Sequence, residues 1–233
     1  VQNDRRFMLV DQNAKFISQR KHPRLSLVSA SLGPDGLVVS SNELGELFFP
    51  YASFIHDIEV QVWSDMVNAK FIDPQFTEKL SDWLGTPVRM VYMEDNAIRQ
   101  VDREFFAEDQ NVSFADAFPL LLTNTASLDD LNEKLDQTVP MGRFRPNIVF
   151  EGDKAFQEDD WLRIQIGDIP FDVVKPCSRC IMTTIDDKGN TSKEPLKALS
   201  KYRKNKFGVC FGQNIVHRST GWLKVGDILR VLE

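Results

Sequence analysis

Two cysteines separated by two residues are the strongest candidates for chemistry in this chain. Cys177 and Cys180 lie in the stretch KPCSRC, residues 175–180. The positive charges of Lys175 and Arg179 favour the thiolate forms of these cysteines, because a nearby cation stabilises an anion. A thiolate is a good ligand for soft or high-valent metal ions. The stretch therefore indicates a reactive thiol that is suited to binding a metal.

Three other interpretations of the cysteine pair stay open on the residues alone. In the first interpretation, both thiols are buried structural residues. The second is a thioredoxin-like redox pair, which requires the motif at the start of a helix within a β-α-β unit, whereas β-branched residues follow Cys180. The third is half of a zinc site, which needs about four ligands and would have to recruit them from Cys210, His22, His56 and His217.

Arginines form a second group of candidate binding residues. Arg143 and Arg145 stand directly before a predicted strand, and further arginines gather near the start of the chain, namely Arg5, Arg6, Arg20 and Arg24. A guanidinium offers a planar fork that suits phosphate or a carbonyl-rich ring, while a surface ion pair is the alternative for any single arginine. The sequence has no Ser-His-Asp arrangement, P-loop or dinucleotide-binding glycine pattern. The residues alone therefore indicate one reactive thiol and a site for an anionic ligand.

Short strands with frequent turns are predicted to position these residues. Apolar patterns bounded by turn residues predict strands at residues 7–10, 15–18, 25–30, 36–40, 46–49, 58–62, 88–92, 147–150, 161–166, 171–174, 181–185, 209–216 and 228–232. Regular short strands of this kind are typical of a barrel or a sandwich.

A few helices and one long loop interrupt the strands. Apolar residues at helical spacing predict a helix over residues 74–84. Ser127 is predicted to be the N-cap of a second helix, and a proline in the first turn predicts a third over residues 195–202. Residues 93–111 mix many charges with two phenylalanines and are predicted to form a long surface loop. The predicted fold class is mainly β with some helices.

The composition limits the classes of function. The chain has 233 residues, of which 42% are hydrophobic and 27% charged, as expected for a globular protein. Its net charge of −6 argues against nucleic-acid binding. No apolar run reaches the length of a membrane span, and the polar opening of residues 1–6 is unlike a signal peptide. Three cysteines are too few for a disulfide framework, so we expect a cytoplasmic protein with reduced thiols and no membrane association.

Residues 175–186, KPCSRCIMTTID, closely resemble the signature of the molybdenum cofactor sulfurase C-terminal (MOSC) domain family. Other segments match the same family in the same order, and these are DRRFMLV, SQRKHPRL, FADAFPLLLTNTASLDDLN, FRPNIVF, EPLK, FGQN and KVGD. The resemblance covers essentially the whole chain. It is greatest to the branch that contains the amidoxime-reducing components and their bacterial homologues.

The resemblance implies a fold, a domain division and a set of site residues. It implies an N-terminal β-barrel-like domain over residues 1–112 and a β-barrel MOSC domain over residues 113–233, with the cofactor between them. It further implies that Cys180 is the catalytic residue and ligates the metal of a molybdenum cofactor (Mo-molybdopterin). Contacts to the phosphate and the pterin are implied for Arg5, Arg6, Arg20 and Arg145, with weaker matches at Asn147, Ser113, Asp116 and Thr183.

The activity that the resemblance implies is a two-electron reduction of N-hydroxylated bases and amidoximes, which releases water. The electrons would come from a separate flavoprotein, from an iron–sulfur or haem protein, or from a domain missing from this sequence, since the sequence has no cysteine cluster for an iron–sulfur cluster of its own. Two alternatives are a module that carries the cofactor or sulfur to other enzymes, and a β-barrel fragment that has lost its cofactor site.

The chain departs from the family pattern at both ends. Family members usually begin with a strand and a Tyr-Pro-x-Lys-Ser stretch that also contacts the cofactor, and this sequence starts after that stretch without an initiator methionine. Many bacterial members also carry a C-terminal ferredoxin domain, and this sequence ends at Glu233 without one. We therefore expect the sequence to be truncated at its N-terminus.

Overall fold

The structure, a computed structural model, describes residues 3–233. Val1 and Gln2, which belong to the polar opening discussed above, lie outside the described residues. Strand residues outnumber helical residues, at 36% against 19%. The predicted fold class, mainly β with some helices, is therefore confirmed.

The N-terminal half forms two antiparallel sheets. Its elements in chain order are β1 (Phe7–Val10), β2 (Ser29–Leu32), β3 (Gly36–Ser41), β4 (Gly45–Pro50), β5 (Phe54–Val62), β6 (Asp65–Ile72), α1 (Glu78–Leu84) and β7 (Arg89–Tyr92). The four-stranded sheet has the order β1-β7-β6-β5, and the three-stranded sheet has the order β2-β3-β4. Side chains from both sheets and from α1 meet in one apolar cluster that includes Phe49, Ile72 and Leu80.

The C-terminal half forms one sheet that is nearly closed into a barrel. Its elements are β8 (Leu120–Asn124), α2 (Thr125–Asn132), β9 (Ile148–Phe150), β10 (Arg163–Ile166), β11 (Ile169–Ser178), α3 (Leu196–Ser200), β12 (Lys204–Asn205), β13 (Gly208–His217) and β14 (Leu229–Val231). The strand order is β14-β10-β11-β13-β8-β9, with β12 paired to β13. β8 lies between β13 and β9 and is buried along its whole length, which explains why it begins with three consecutive leucines rather than an alternating pattern.

The end of β11 presents the cysteine pair. The register between β11 and β13 shifts between Val173 and Lys175, and again between Pro176 and Ser178. Proline has no backbone N–H to give to a ladder, so a strand tends to be irregular where one occurs. Pro176 thus accounts for a local irregularity just before the chain leaves the sheet at the cysteines.

Residues 93–111 contain neither a helix nor a strand, as predicted, but they are more firmly packed than a surface loop. Val101, Phe106 and Val112 are buried, and they form an apolar cluster with Val216 of β13. An isolated bridge between Gln100 and Asn111 closes the segment. The segment therefore joins the two halves as part of the core.

The strand predicted over residues 181–185 is wrong. Residues Ile181–Thr184 form a 3-10 helix with Cys180 as its N-cap. The Thr183 hydroxyl donates to the carbonyl of Cys180 at 3.0 Å, and the Thr184 hydroxyl donates to the carbonyl of Ile181 at 2.7 Å. Threonine side chains that bond to a backbone carbonyl three residues earlier stabilise a turn, so they override the β-propensity of this stretch.

Two other predicted strands are also incorrect near the N-terminus. Residues Pro23–Leu27 form a 3-10 helix and the following strand is β2, where one strand over 25–30 was predicted. Residues 15–18 contribute only isolated bridges, from Lys15 to Gln61 and from Phe16 to Val10. A proline at the first position of a turn favours a helical start, and the prediction gave Pro23 too little weight.

The second helix begins three residues earlier than predicted. Asn124 is its N-cap and accepts a hydrogen bond from the backbone of Ala126, whereas Ser127 lies inside the helix. Ser127 is fully buried, and its hydroxyl donates to Glu158 at 3.1 Å and accepts from the backbone of Phe156 at 2.7 Å. The serine therefore has a tertiary partner that local sequence does not reveal.

Glu158 gives a prediction about stability and pH. Its side chain is fully buried, and burial is the largest cause that raises its pKa above 4.5, opposed by hydrogen bonds from Asn124 and Ser127. The folded protein therefore binds this proton more tightly than the unfolded chain, and gains stability as pH falls from the raised pKa towards 4.5. Relative to a Glu158→Gln variant, the wild type should become more stable as the pH is lowered from mildly alkaline values towards 4.5.

Urea unfolding of both proteins across that pH range measures the effect. Glu151→Gln is the matched control, because Glu151 is exposed in the same connection. A difference between wild type and Glu158→Gln that does not change with pH would contradict the prediction.

Candidate functional site

A groove between the two halves collects most of the predicted site residues. Its volume is about 460 Å³. Its polar and charged lining includes Arg5, Arg20, Asp116, Arg145, Asn147, Lys175, Cys177, Arg179, Cys180 and Asn214, and its apolar lining includes Phe7, Phe16, Trp63, Phe114 and Met182. The N-terminal sheets, the segment after residue 112 and the end of β11 all contribute, so the groove exists only when both halves are packed together.

The thiol of Cys180 faces a guanidinium across the groove. Nη2 of Arg20 lies 3.5 Å from its Sγ atom. The same guanidinium stacks on the indole of Trp63, with 4.8 Å between the guanidinium carbon and the ring centroid. Trp63 sits in the turn between β5 and β6 with a φ of 57°, a left-handed conformation that is uncommon for a bulky residue. A strained turn in the N-terminal half thus holds a cation beside a thiol of the C-terminal half.

Cys177 has a different cationic partner. Nη1 of Arg179 lies 2.9 Å from the Sγ atom of Cys177, and Nη2 of Arg179 donates to the carbonyl of Phe144 at 2.8 Å. Lys175 turns away from both cysteines, since its Nζ lies 3.9 Å from the centroid of the Phe105 ring. The cation beside Cys180 is therefore Arg20. Neither Lys175 nor Arg179, the two cations of the stretch that contains the cysteines, makes this contact.

Arg5 and Arg145 form a second positive region of the groove. Both adopt a left-handed backbone conformation, with φ of 52° and 55°, and Nη2 of Arg5 lies 3.4 Å from the carbonyl oxygen of Arg145. Desolvation among the surrounding protein atoms is the largest cause that lowers the pKa of Arg145, and the charge of Arg5 is the next. The Arg145 side chain nonetheless stays exposed, because the groove is open to solvent. Two like charges held together in this way favour an anion between them.

Asp4 connects the other predicted contact residues. Its carboxylate pairs with Arg5 and accepts a hydrogen bond from Nδ2 of Asn147 at 3.0 Å, while its backbone carbonyl accepts one from the hydroxyl of Ser113 at 2.8 Å. Oδ1 of Asn147 accepts from the backbone of Leu121 at 2.9 Å. Ser113 and Asn147 therefore fix the backbone that carries Arg5, and of the two only Asn147 lines the groove.

Three predicted site residues lie outside the groove lining, namely Ser113, described above, Arg6 and Thr183. Arg6 pairs with Asp95 at 2.8 Å and donates from Nε to the carbonyl of Met93. Its guanidinium therefore binds groups of the N-terminal half instead of facing the groove. Thr183 is buried beneath Cys180 and acts on the turn through the hydrogen bond described above. Nη1 of Arg143 donates to the carbonyl of Thr183 at 3.1 Å, which fixes the turn from the opposite side.

Sequence reasoning missed Trp63 and Arg99. A tryptophan directly after the predicted strand over residues 58–62 was the available signal for Trp63, since a large ring at an exposed position has no core to fill. Arg99 is buried and donates to the carbonyls of Ser113, Ala115 and Asp116 while pairing with Asp65. No local pattern distinguishes it from the exposed charges around it. Both residues act by positioning other residues of the groove.

The charges of the groove fit an anionic ligand that brings further metal ligands with it. Among residues 3–233, no carboxylate oxygen lies within 4.0 Å of the guanidinium nitrogens of Arg20 or Arg145. The described part of the chain also has no group of three or more His, Cys, Asp or Glu side chains that is placed to hold a metal. A pterin dithiolene cofactor would bring its own phosphate for the guanidiniums and its own sulfur atoms for the metal, so the groove residues fit this group.

The remaining thiol and the histidines do not converge on the groove. Cys210 is fully buried in β13, and burial raises its pKa, as expected for a structural thiol. His22, His56 and His217 are absent from the groove lining. Among residues 3–233, no helix has the length and apolar character that crossing a bilayer requires.

Family models match both halves of the chain. The model of the MOSC domain matches residues 109–230, and the model of the MOSC N-terminal beta barrel domain matches residues 1–90. The predicted division between residues 112 and 113 stays a prediction, because the residues between the two matches belong to the shared core.

Whole-chain relatives carry related names. The chain is 32% identical over 240 residues to mitochondrial amidoxime-reducing component 1 of Danio rerio, an alignment that covers 96% of this chain and 73% of that protein. It is 31% identical over 257 residues to the Homo sapiens protein of the same name, covering 98% of this chain and 73% of that protein. It is also 31% identical over 242 residues to mitochondrial amidoxime reducing component 2 of Bos taurus, covering 96% of this chain and 71% of that protein.

Proposed function

The chain belongs to the MOSC domain family, and we propose that it binds a molybdenum cofactor through Cys180 and reduces N-hydroxylated compounds. The observation that carries this proposal is the groove in which one thiol faces a guanidinium with no carboxylate partner among the described residues. The names of the relatives, which are amidoxime-reducing components, support the reaction class.

Each group of residues has a defined task in this proposal. The Cys180 thiolate is the protein ligand of the metal. Arg5, Arg20 and Arg145 bind the phosphate and the polar edge of the pterin, because forked guanidiniums bind both with paired hydrogen bonds. Asn147 and Ser113 hold the segment that carries Arg5, and Thr183 holds the turn that carries Cys180. Asp116, which is exposed in the groove lining, is left free to contact the cofactor or the substrate.

The bound cofactor supplies the two-electron redox chemistry of the reaction. In that reaction an N–OH group takes up two electrons and two protons: the N–O bond breaks, one proton forms a new N–H bond, and the other leaves with the hydroxyl group as water. The chain's own residues bind and orient the cofactor and shape the access of the substrate. Phe16 and Trp63, whose ring centroids lie 4.7 Å apart, offer an apolar wall beside Cys180 against which the flat body of an amidoxime can pack.

In this proposal the electrons reach the site from a donor protein. A separate flavoprotein, or an iron–sulfur or haem protein, is the proposed donor. The cytoplasmic location stays a prediction, and no partner beyond the donor and a small-molecule substrate is proposed.

Two measurements on the purified protein test the proposal. Protein from a molybdate-supplied host should contain close to one molybdenum per chain, and protein from a molybdate-starved host provides the matched control with the same fold. The supplied preparation should reduce benzamidoxime to benzamidine with chemically reduced methyl viologen as donor, and the starved preparation should not. Absence of molybdenum from the supplied protein contradicts the whole proposal, whereas loaded protein without turnover indicates a cofactor or sulfur carrier.

A further inference from the structure

A cluster of lysines covers the segment between the last two cysteines. Residues 186–206 contain seven Lys or Arg (188, 193, 197, 201, 203, 204, 206) and three Asp or Glu (186, 187, 194), which gives a net charge of 7 − 3 = +4. The whole chain carries −6, so the other residues together carry −10. Positive charge is therefore concentrated in a short part of an acidic protein.

These lysines are exposed and mostly without partners. We define the lysine surface as Lys197, Lys201, Lys204 and Lys206, all of which are exposed. Lys197 lies in α3 and Lys201 is its C-cap, while Lys204 lies in β12 and Lys206 in the turn that follows it, so the four lysines come from one short stretch of chain. Within the described residues only Lys197 has an ion pair, with Glu194 at 4.0 Å. The surface therefore has unused positive charge for a partner.

Two backbone pairings, both through β13, connect the lysine surface to the segment that carries Cys180. Lys204 of β12 pairs with Val209 of β13, and the carbonyl of Val209 accepts a hydrogen bond from the backbone N–H of Arg179 at 2.7 Å. Arg179 is the residue before Cys180. Two strand spacings of about 4.8 Å place the β12 backbone roughly 10 Å from the backbone that carries the thiol.

Exposed apolar groups lie beside the charges in the sequence. Ile181 directly follows Cys180 and is 54% exposed, and Tyr202 directly follows Lys201 and is 38% exposed. Docking surfaces of proteins commonly combine a few exposed aromatic or aliphatic residues with a charged rim. This combination favours a protein partner over a small anion.

We propose that the lysine surface is the docking site of the electron donor, a small redox protein whose own docking surface is acidic. The inference rests on the proposed function, because only a reductase with an external donor needs such a site. Opposite charges steer the two proteins together and raise the rate of association, and the short backbone connection brings the donor close to the metal ligand. The donor is oxidised by two electrons in one-electron or two-electron steps for each N–O bond that is reduced.

The test compares two charge reversals of equal size. The first is Lys204→Glu with Lys206→Glu, and the matched control is Lys79→Glu with Lys224→Glu, which are exposed lysines that do not line the groove. The probe is a plant-type [2Fe–2S] ferredoxin, an acidic redox protein, and its binding to each holoenzyme is measured by titration. Its turnover as donor is compared with that of reduced methyl viologen, a small cation that needs no docking site.

The first variant should bind ferredoxin about tenfold more weakly and show a similar rise in the KM for ferredoxin, with kcat for methyl viologen unchanged. Wild-type binding should weaken as salt is raised, and the control variant should behave as the wild type does. Equal effects of the two reversals, or wild type that uses methyl viologen but neither binds nor uses ferredoxin, would overturn the docking site. Binding of anionic phosphatidylglycerol vesicles in place of ferredoxin, lost in the same variant, would overturn it as well. Lysine-dependent ferredoxin binding without turnover from any donor would support the docking site and contradict the proposed function instead.

Discussion

A Cys180→Ser variant is expected to contain far less than one molybdenum per chain and to lose turnover at least about 100-fold. Outer partners of a metal ligand already contribute 10- to 100-fold to affinity or activity, so loss of the ligand itself should have a larger effect. Serine is the best-matched replacement because it nearly keeps the size of the side chain while replacing the sulfur ligand with a hydroxyl oxygen. The measurements are metal analysis and benzamidoxime reduction with methyl viologen.

Cys177→Ser is the matched control, since it makes the same chemical change three residues away. The two thiols differ in their surroundings, because Arg20 from the N-terminal half approaches Cys180 and Arg179 approaches Cys177. Arg179 is also bonded to the carbonyl of Phe144, so its contact with Cys177 belongs to the local backbone structure. The Cys177→Ser variant should therefore retain its molybdenum.

The absorption spectrum of the molybdenum-loaded protein shows which of the two cysteines ligates the metal. A thiolate bound to an oxidised metal gives charge-transfer absorption, which Cys180→Ser should lose and Cys177→Ser should keep. Full molybdenum content in Cys180→Ser with an unchanged spectrum would refute the assignment of Cys180. Loss of metal from Cys177→Ser to the same extent would mean that both sulfurs hold it.

Much of the fold followed from local patterns in the sequence. Alternating or continuous apolar runs with turn residues at their ends were enough to find β1, β3, β4, most of β13 and a part of β11, because burial on one or both faces of a sheet imposes those patterns. The strand β6 was missed, since its sequence DMVNAKFI alternates only in part. The turn after Cys180 was mistaken for a strand because β-branched residues also occur where their hydroxyls bond to the backbone.

The site was predicted in its residue types and only partly in its geometry. The thiol and most of the arginines do meet in one groove, as the family resemblance implied, although Arg6 lies elsewhere. The particular contacts were not predictable, because Arg20 and Cys180 are 160 positions apart and no local pattern encodes which cation approaches which thiol. The same holds for Trp63, whose role depends on where the turn between β5 and β6 falls relative to Arg20.

An Arg99→Met variant is expected to lose about 3 kcal/mol of stability towards unfolding, and its Tm should fall by roughly 6–12 °C for a chain of this size. The Arg99 side chain is only 4% exposed. It donates to the carbonyls of Ser113, Ala115 and Asp116 and pairs with Asp65 at 2.8 Å. Methionine fills a similar volume but satisfies none of these acceptors, and each buried acceptor left without a partner costs about 1–3 kcal/mol.

Two further variants separate the buried contacts from charge alone. Arg103→Met removes the same kind of side chain from the same segment, but Arg103 and its partner Asp109 are largely exposed, so the loss should stay below about 1 kcal/mol. Asp65→Asn should cost less than Arg99→Met, because Asp65 is partly exposed and the three carbonyls keep their donor. Urea and thermal unfolding measure all three, and equal losses for Arg99→Met and Arg103→Met would contradict the prediction.

The effect of Arg99 should extend from stability to the site. The carbonyls that it holds belong to residues 113–116, and Phe114 and Asp116 line the groove opposite the end of β11. Asp65 follows the turn that carries Trp63, so one guanidinium connects two walls of the groove. Well below its Tm, Arg99→Met should therefore carry less molybdenum per folded chain than Arg103→Met. If the two variants carry equal metal, Arg99 stabilises the fold without positioning the groove.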